Sequence, residues 1–100
     1  MKRIKESDVE AYLVKCVEAR GGTAEKFSSP NRRSVPDRLI SWAWTDGGGF
    51  PTVQYVECKA PGKKATKAQK RDHDRRRGMG FQVDVLDTIE AVDNWIAVGY

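Results

Sequence analysis

The chain of 100 residues has one histidine, two cysteines and no apolar run that approaches the length of a membrane span. A spanning helix needs about 20 consecutive apolar residues, so the last absence argues against an integral helical membrane protein. The start, Met1-Lys2-Arg3-Ile4-Lys5-Glu6, has basic residues with no apolar stretch behind them, so neither export nor anchoring is expected and a cytoplasmic location is. Cys16 and Cys58 stand far apart without metal-type spacing, which favours free buried thiols over a disulfide or a zinc site. The lone histidine, His73, lies among arginines and reads as a surface or phosphate-contacting residue rather than a general base. There is no internal repeat and no low-complexity segment, and a chain of this length builds one core, so residues 1–100 read as a single domain.

Charge is abundant instead. Charged residues make up 32% of the chain against 39% apolar, which favours a soluble domain with much of its surface committed to charge. The net charge is only +4, but its distribution is uneven: Pro61 to Gly80 carries four lysines and four arginines against Asp72 and Asp74, a local excess of +6, so the remainder is slightly acidic. Positive charge gathered on one element is the electrostatic footprint of a phosphate-backbone binder, although a solvated helix face would look the same. Arg32 and Arg33, at the end of a polar loop from Thr23 to Ser34, could also hold phosphate, and a solvated turn is the alternative.

The chain is organised around Val53-Gln54-Tyr55-Val56-Glu57-Cys58-Lys59, a β-branched and aromatic run between turn signals and therefore a strand. Alternation puts Val53, Tyr55, Glu57 and Lys59 on one face, with Glu57 and Lys59 about 7 Å apart, and Gln54, Val56 and Cys58 on the other. Upstream, Arg38 to Trp44 reads as a partner strand, with Ile40, Trp42 and Trp44 on one face, joined through Thr45-Asp46-Gly47-Gly48-Gly49. Antiparallel pairing through that connection brings Asp37 beside Glu57 and Lys59. Two carboxylates about 5 Å apart repel by roughly 3 kcal/mol at an effective dielectric near 20, so the cluster suits a hard divalent cation with a lysine beside it.

The remaining elements frame this hairpin. Val9, Tyr12, Leu13, Cys16 and Val17 form an amphipathic pattern for a helix from Ser7 to Ala19, with Ser7 and Glu10 as a capping box and Gly21-Gly22 as its stop. Glu10 is either that cap or, like Glu6, a residue at the helix edge that could point to a neighbouring site. Thr66-Lys67-Ala68-Gln69 is a second box, opening a helix to about Arg77; Gln69 is either its cap or a residue facing the Glu57 site. Phe81 to Leu86 is a third strand, and Asp87 with Glu90 caps a last helix carrying Ile89, Val92, Trp95 and Ile96. The expected class is α/β, a mixed sheet of three or more strands flanked by helices in the order αββαβα.

Pro36-Asp37, then Glu57-Cys58-Lys59 on a hairpin with a helix ahead of it, resembles the PD-(D/E)xK nuclease superfamily. Val9-Glu10, Val35-Pro36-Asp37-Arg38-Leu39, Val56-Glu57-Cys58-Lys59-Ala60-Pro61-Gly62 and Gln69, with Gly80 and Val83 beyond, are similar to the VRR-Nuc family and its small stand-alone phage members over nearly the whole chain. The resemblance implies a restriction-endonuclease-like core and Mg²⁺- or Mn²⁺-dependent endonucleolytic cleavage of DNA, with branched DNA such as a four-way junction as the expected substrate. It makes Asp37 and Glu57 metal ligands, adds the Cys58 backbone carbonyl and Glu10, direct or through water, gives Lys59 the attacking water to orient, and has Gln69 support the site. Arg32, Arg33, Lys67, Lys70, Arg71, Arg75 and Arg76 are then the expected DNA-binding residues. A homodimer is expected, because a junction needs two cuts related by two-fold symmetry and Trp42, Trp44, Trp95 and Tyr100 offer aromatic surface for an interface. The competing reading is a non-catalytic nucleic-acid-binding module built on the basic segment 63–77, with the acidic cluster as an ion-pair network around Lys59.

Overall fold

The structure, a computed structural model, describes residues 3–30, 32–42 and 53–99. Helix α1 spans Glu6–Ala19 and buries Val9, Leu13 and Val17, one residue per turn along a single stripe. It starts one residue before the expected Ser7. Ser7 therefore lies inside the helix and cannot cap it; the Lys5 N–H donates to the Asp8 carboxylate at 2.8 Å instead, which removes the capping alternative for Glu10. At the other end Gly21 takes φ of +82°, the Gly21 N–H reaches the Glu18 carbonyl and the Gly22 N–H reaches the Val17 carbonyl at 3.0 Å, closing the helix with a Schellman pair. Gly22 is also a close-approach position, because a Cβ there would stand 2.7 Å from the Trp42 ring.

Strand β1, Thr23–Lys26, occupies what the sequence presents as a loop, so the order is αβββαβα with one strand more than expected. Thr-Ala-Glu-Lys has no apolar alternation because β1 is an edge strand, short, mostly exposed and bearing the charged Glu25 and Lys26, as edges that avoid further pairing tend to be. Strands β2, Arg38–Ser41, and β3, Val53–Cys58, follow; β2 ends before Trp42, short of the expected Trp44. Ala43, Trp44 and the expected hairpin turn at 45–49 lie outside the described residues. The two strands do pair antiparallel, Arg38 opposite Val56 and Ser41 opposite Val53, so the hairpin register is as expected. Helix α2, Lys67–Gly78, crosses over to β4, Gln82–Leu86, which lies parallel to β3 with Glu57 beside Val85. Helix α3, Ile89–Gly99, is capped by Thr88 rather than Asp87: the Ala91 N–H donates to Thr88 Oγ1 at 2.9 Å. The sheet order is β1-β2-β3-β4, and the expected mixed α/β sheet flanked by helices is present.

One face of the sheet holds the core, in which Val9, Leu13 and Val17 of α1 and Val92 and Ile96 of α3 meet Ile40, Trp42, Val56, Cys58 and Leu86. Trp42 is buried there, its Nε1–H donating to Gln54 Oε1 at 2.6 Å and its ring 6.4 Å from that of Trp95, so part of the aromatic surface considered for an interface is core. Both cysteines are free, as expected; Cys58 is buried and Cys16 half-buried. Trp44 and Tyr100 lie outside the described residues. Among the described residues no helix is long and apolar enough to cross a membrane.

Alternation sends Tyr55 and Glu57 to the opposite face, where α2 sits. The buried residues of α2 are Asp72, His73 and Arg76, and with half-buried Gln69 they make an i, i+3, i+4, i+7 stripe that is wholly polar. Arg76 pairs with Asp72 (Nε to Oδ2, 2.7 Å) and lies over the rings of Tyr55 and Phe27, at 4.8 and 5.2 Å from their centroids. Arg77 Nη2 donates to the Val83 carbonyl at 2.7 Å. Helix α2 is thus fastened to the sheet by charge, hydrogen bonds and cation–π contact rather than by apolar burial.

Candidate active site

Glu57 comes next to last in β3 and is 2% exposed. Asp37 directly precedes β2, and the register that sets Arg38 opposite Val56 sets Asp37 opposite Glu57. Its Oδ2 accepts from the Cys58 N–H at 2.9 Å, which ties the carboxylate to the end of β3, while its own carbonyl accepts from the Phe27 N–H at 2.8 Å. Lys59 lies on the Glu57 side of the strand, as alternation requires, with Nζ 3.6 Å from Glu57 Oε2. The acid, acid, lysine cluster expected from the hairpin is therefore assembled.

Gln69 has both of the roles the sequence left open. Its N–H donates to Thr66 Oγ1 at 3.1 Å and its Oε1 accepts from the Thr66 N–H at 2.8 Å, a complete capping box. Its Nε2 then donates to Glu57 Oε2 at 3.2 Å. The helix cap and the site are the same side chain.

Glu10 is placed differently from the expected fourth ligand. Arg38 Nε donates to its Oε2 at 2.7 Å and Lys26 Nζ is 3.6 Å away, so this carboxylate is neutralised by β1 and β2 beside the site. Among the described residues no three carboxylate, imidazole or thiol groups converge as a ready-made metal cage. The donor pair that does fit a cation is Asp37 with Glu57. Burial pushes the Glu57 carboxyl up to about 8, the negative charge of Asp37 pushes it the same way, and Lys59 offsets this only in part. Glu57 Oε1 is moreover buried with no hydrogen-bond partner among the described residues. An unpartnered buried polar atom costs about 1–3 kcal/mol, and a cation would satisfy this one and offset the repulsion together. The Cys58 thiol is pushed up to about 12, by burial and then by the charges of Asp37, Glu10 and Glu57, so it is a packed core group and no nucleophile.

Two residues of α2 lie elsewhere than their sequence context suggests. His73, expected at the surface, is 1% exposed and its Nε2 stands 3.9 Å from Glu57 Oε1. Burial, then the charge of Arg77, lowers its proton affinity. The sequence does hold a signal for this placement: His73 lies one helical turn from Gln69, on the same face. Arg76, expected to contact DNA, is 8% exposed and committed to Asp72 and two aromatic rings. The other expected DNA-binding residues, Arg32, Arg33, Lys67, Lys70, Arg71 and Arg75, are exposed, and Arg32, Arg33, Arg71 and Arg75 line one pocket of about 280 Å³ together with Ser34 and Asp72.

No protein-family model matches the chain. A curated phage protein, "Putative nuclease p44" of Acyrthosiphon pisum secondary endosymbiont phage 1, is 48% identical over 88 residues, 88% of each chain. A solved structure described as a VRR_NUC domain superposes with a TM-score of 0.83 at 32% identity, covering 97% of this chain and 99% of that one. With the relative and the shared fold agreeing along nearly their whole lengths, the chain belongs to the VRR-Nuc family of the PD-(D/E)xK nuclease superfamily and has its restriction-endonuclease-like core.

Proposed function

We propose that this protein is a nuclease that hydrolyses DNA phosphodiester bonds with a divalent cation, Mg²⁺ or Mn²⁺, held by Asp37, Glu57 and the Cys58 carbonyl. The observation that carries the reading is buried Glu57 with half-buried Asp37 and Lys59 beside it and one Glu57 carboxylate oxygen left without a partner among the described residues. A hard cation takes oxygen ligands, and when bound it would lower the pKa of a coordinated water and offset charge on the phosphate. Lys59, 13% exposed and next to Glu57, is placed to orient the attacking water and to face the developing negative charge. Glu10 acts through water or after release from Arg38. The basic pocket at Arg32, Arg33, Arg71 and Arg75 positions the backbone through its phosphates and carries no base recognition.

The finer reading is an endonuclease on branched DNA working as a homodimer, since a C₂ pair supplies two sites related as the strands of a four-way junction are. Light scattering should then give about twice the 11.2 kDa chain mass. The Lys59–Glu57 and Arg38–Glu10 pairs also suit a non-catalytic binding module with a structural ion-pair network. Incubating the protein with linear, nicked, flapped and four-way DNA, with and without Mg²⁺, decides between them. Cutting that needs Mg²⁺ and disappears in Asp37→Ala supports the nuclease; tight binding with no cutting under any cation supports the module.

A further inference from the structure

The polar stripe of α2 aims two side chains, one helical turn apart, at the same carboxylate. Gln69 Nε2 donates to Glu57 Oε2 at 3.2 Å, and His73 Nε2 faces Glu57 Oε1 at 3.9 Å. Both residues of the second contact are almost fully buried, and these two atoms are the ones that lack a hydrogen-bond partner among the described buried side chains. The gap is about 1 Å longer than a hydrogen bond, within reach of a small rotation about the terminal bonds of either side chain. An imidazole nitrogen that carries hydrogen can donate, and a carboxylate has about four acceptor positions, so Glu57 can take Gln69 and His73 and still offer a lone pair to a cation.

We propose that His73 is a positioning residue for Glu57: its Nε2–H donates to Oε1 while Gln69 donates to Oε2, and together they fix the plane of the carboxylate that stands beside Asp37, ready for a divalent cation. The proposal rests on the reading of Asp37 and Glu57 as cation ligands. Ligating carboxylates depend on hydrogen bonds behind them to hold their orientation, and removing such a partner typically weakens metal binding by about 10–100-fold. It also accounts for a histidine buried on the polar inward stripe of α2, where Asp72 and Arg76 pair with each other. Simple space-filling would place an apolar side chain there just as well.

Mn²⁺ binding to the whole chain, measured by calorimetry without DNA and alongside thermal unfolding in EDTA, separates donation from filling. His73→Gln carries an amide nitrogen at about the reach of Nε2, whereas His73→Leu fills a similar volume with no donor. On this proposal His73→Gln stays within about threefold of the wild-type affinity and a folded His73→Leu loses about tenfold or more. Wild-type affinity in His73→Leu, or equal losses in the two variants, would show that His73 only fills space. Should His73→Leu not fold, His73→Asn, whose amide stops at the Nδ1 position, replaces it with the same expected loss. Asp37→Ala keeps the two ideas apart. If it binds Mn²⁺ as well as the wild type, or if the wild type binds none, the cation reading fails and the positioning role with it. If Asp37→Ala abolishes binding and His73→Leu does not weaken it, the positioning role alone fails.

Discussion

Gln69 closes the first turn of α2 on Thr66 and, with the same amide, holds Glu57 at 3.2 Å. The start of the basic helix and the most buried acid of the site are therefore one hydrogen-bonded unit, which couples the placement of the exposed arginines of α2 to the placement of the carboxylate. Two substitutions separate the halves of that unit. Gln69→Ala removes both and is expected to destabilise the fold by about 1–2 kcal/mol, the usual worth of a cap and one further hydrogen bond. Gln69→Glu keeps a capping box but turns a carboxylate toward Glu57, so its cost should grow with pH as both acids ionise. Urea unfolding at about pH 6 and about pH 8 checks this; a Gln69→Glu protein as stable as wild type at the higher pH contradicts the contact.

Glu57 itself makes stability depend on pH. Its carboxyl is raised from 4.5 to about 8 by burial and then by Asp37, so the fold favours the neutral acid. A group raised in the folded state contributes stability that is fully present below its unfolded value and is lost as pH rises through its folded value. In EDTA the unfolding temperature should thus fall from about pH 5 to about pH 9, and Glu57→Gln should flatten that fall. Adding Mn²⁺ should reverse it at the alkaline end and release a proton on binding, measurable by titration in two buffers of different ionisation enthalpy. A melting temperature that holds or rises over this range in EDTA would place the Glu57 proton elsewhere.

The hairpin is legible because Val53–Cys58 is a short β-branched and aromatic run bounded by turn residues, and antiparallel register then places Asp37 opposite Glu57. Strand β1 is not, since Thr23–Lys26 is exposed along an edge and owes its conformation to pairing with β2 rather than to its own pattern. Helix α2 was found through its capping box, but its buried face was hidden: periodicity is read from apolar residues, and here the inward positions are Gln69, Asp72, His73 and Arg76. For the same reason a buried histidine and a buried arginine both read as surface. The helical pattern places Glu10 on α1, but its pairing with Arg38, 28 residues away, follows from how α1 lies on β1 and β2, which no local pattern encodes.

Lys59 is expected to act in the transition state. Its ammonium is near Glu57 and little exposed, so Lys59→Ala should lower the cleavage rate by about 10²–10⁴ with DNA affinity nearly unchanged. Lys59→Arg should not restore the rate, because a planar guanidinium does not reproduce the compact ammonium. Single-turnover cleavage combined with a binding assay in Ca²⁺ separates the two quantities. A loss confined to affinity would reduce Lys59 to a phosphate clamp.

The arginines of α2 divide into two kinds, and salt dependence distinguishes them. Arg71 is exposed and Arg75, though paired with Asp72 at 3.2 Å, is accessible; both line the pocket shared with Arg32 and Arg33. In a duplex complex every phosphate that a basic side chain neutralises adds about 0.9 to the slope of log affinity against log salt, so replacing Arg71 and Arg75 by Gln should flatten it by about 2. The weakening should be alike for linear and branched DNA, because phosphate recognition carries no base information. Arg76 is different in kind. Its guanidinium is buried between Asp72 and the rings of Tyr55 and Phe27, so Arg76→Gln leaves a buried carboxylate short of its partner and should destabilise the fold by about 3–5 kcal/mol. At temperatures where Arg76→Gln remains folded, its salt slope should match that of the wild type. A flattened slope in Arg76→Gln with unchanged unfolding temperature would place Arg76 on the DNA and reverse this division.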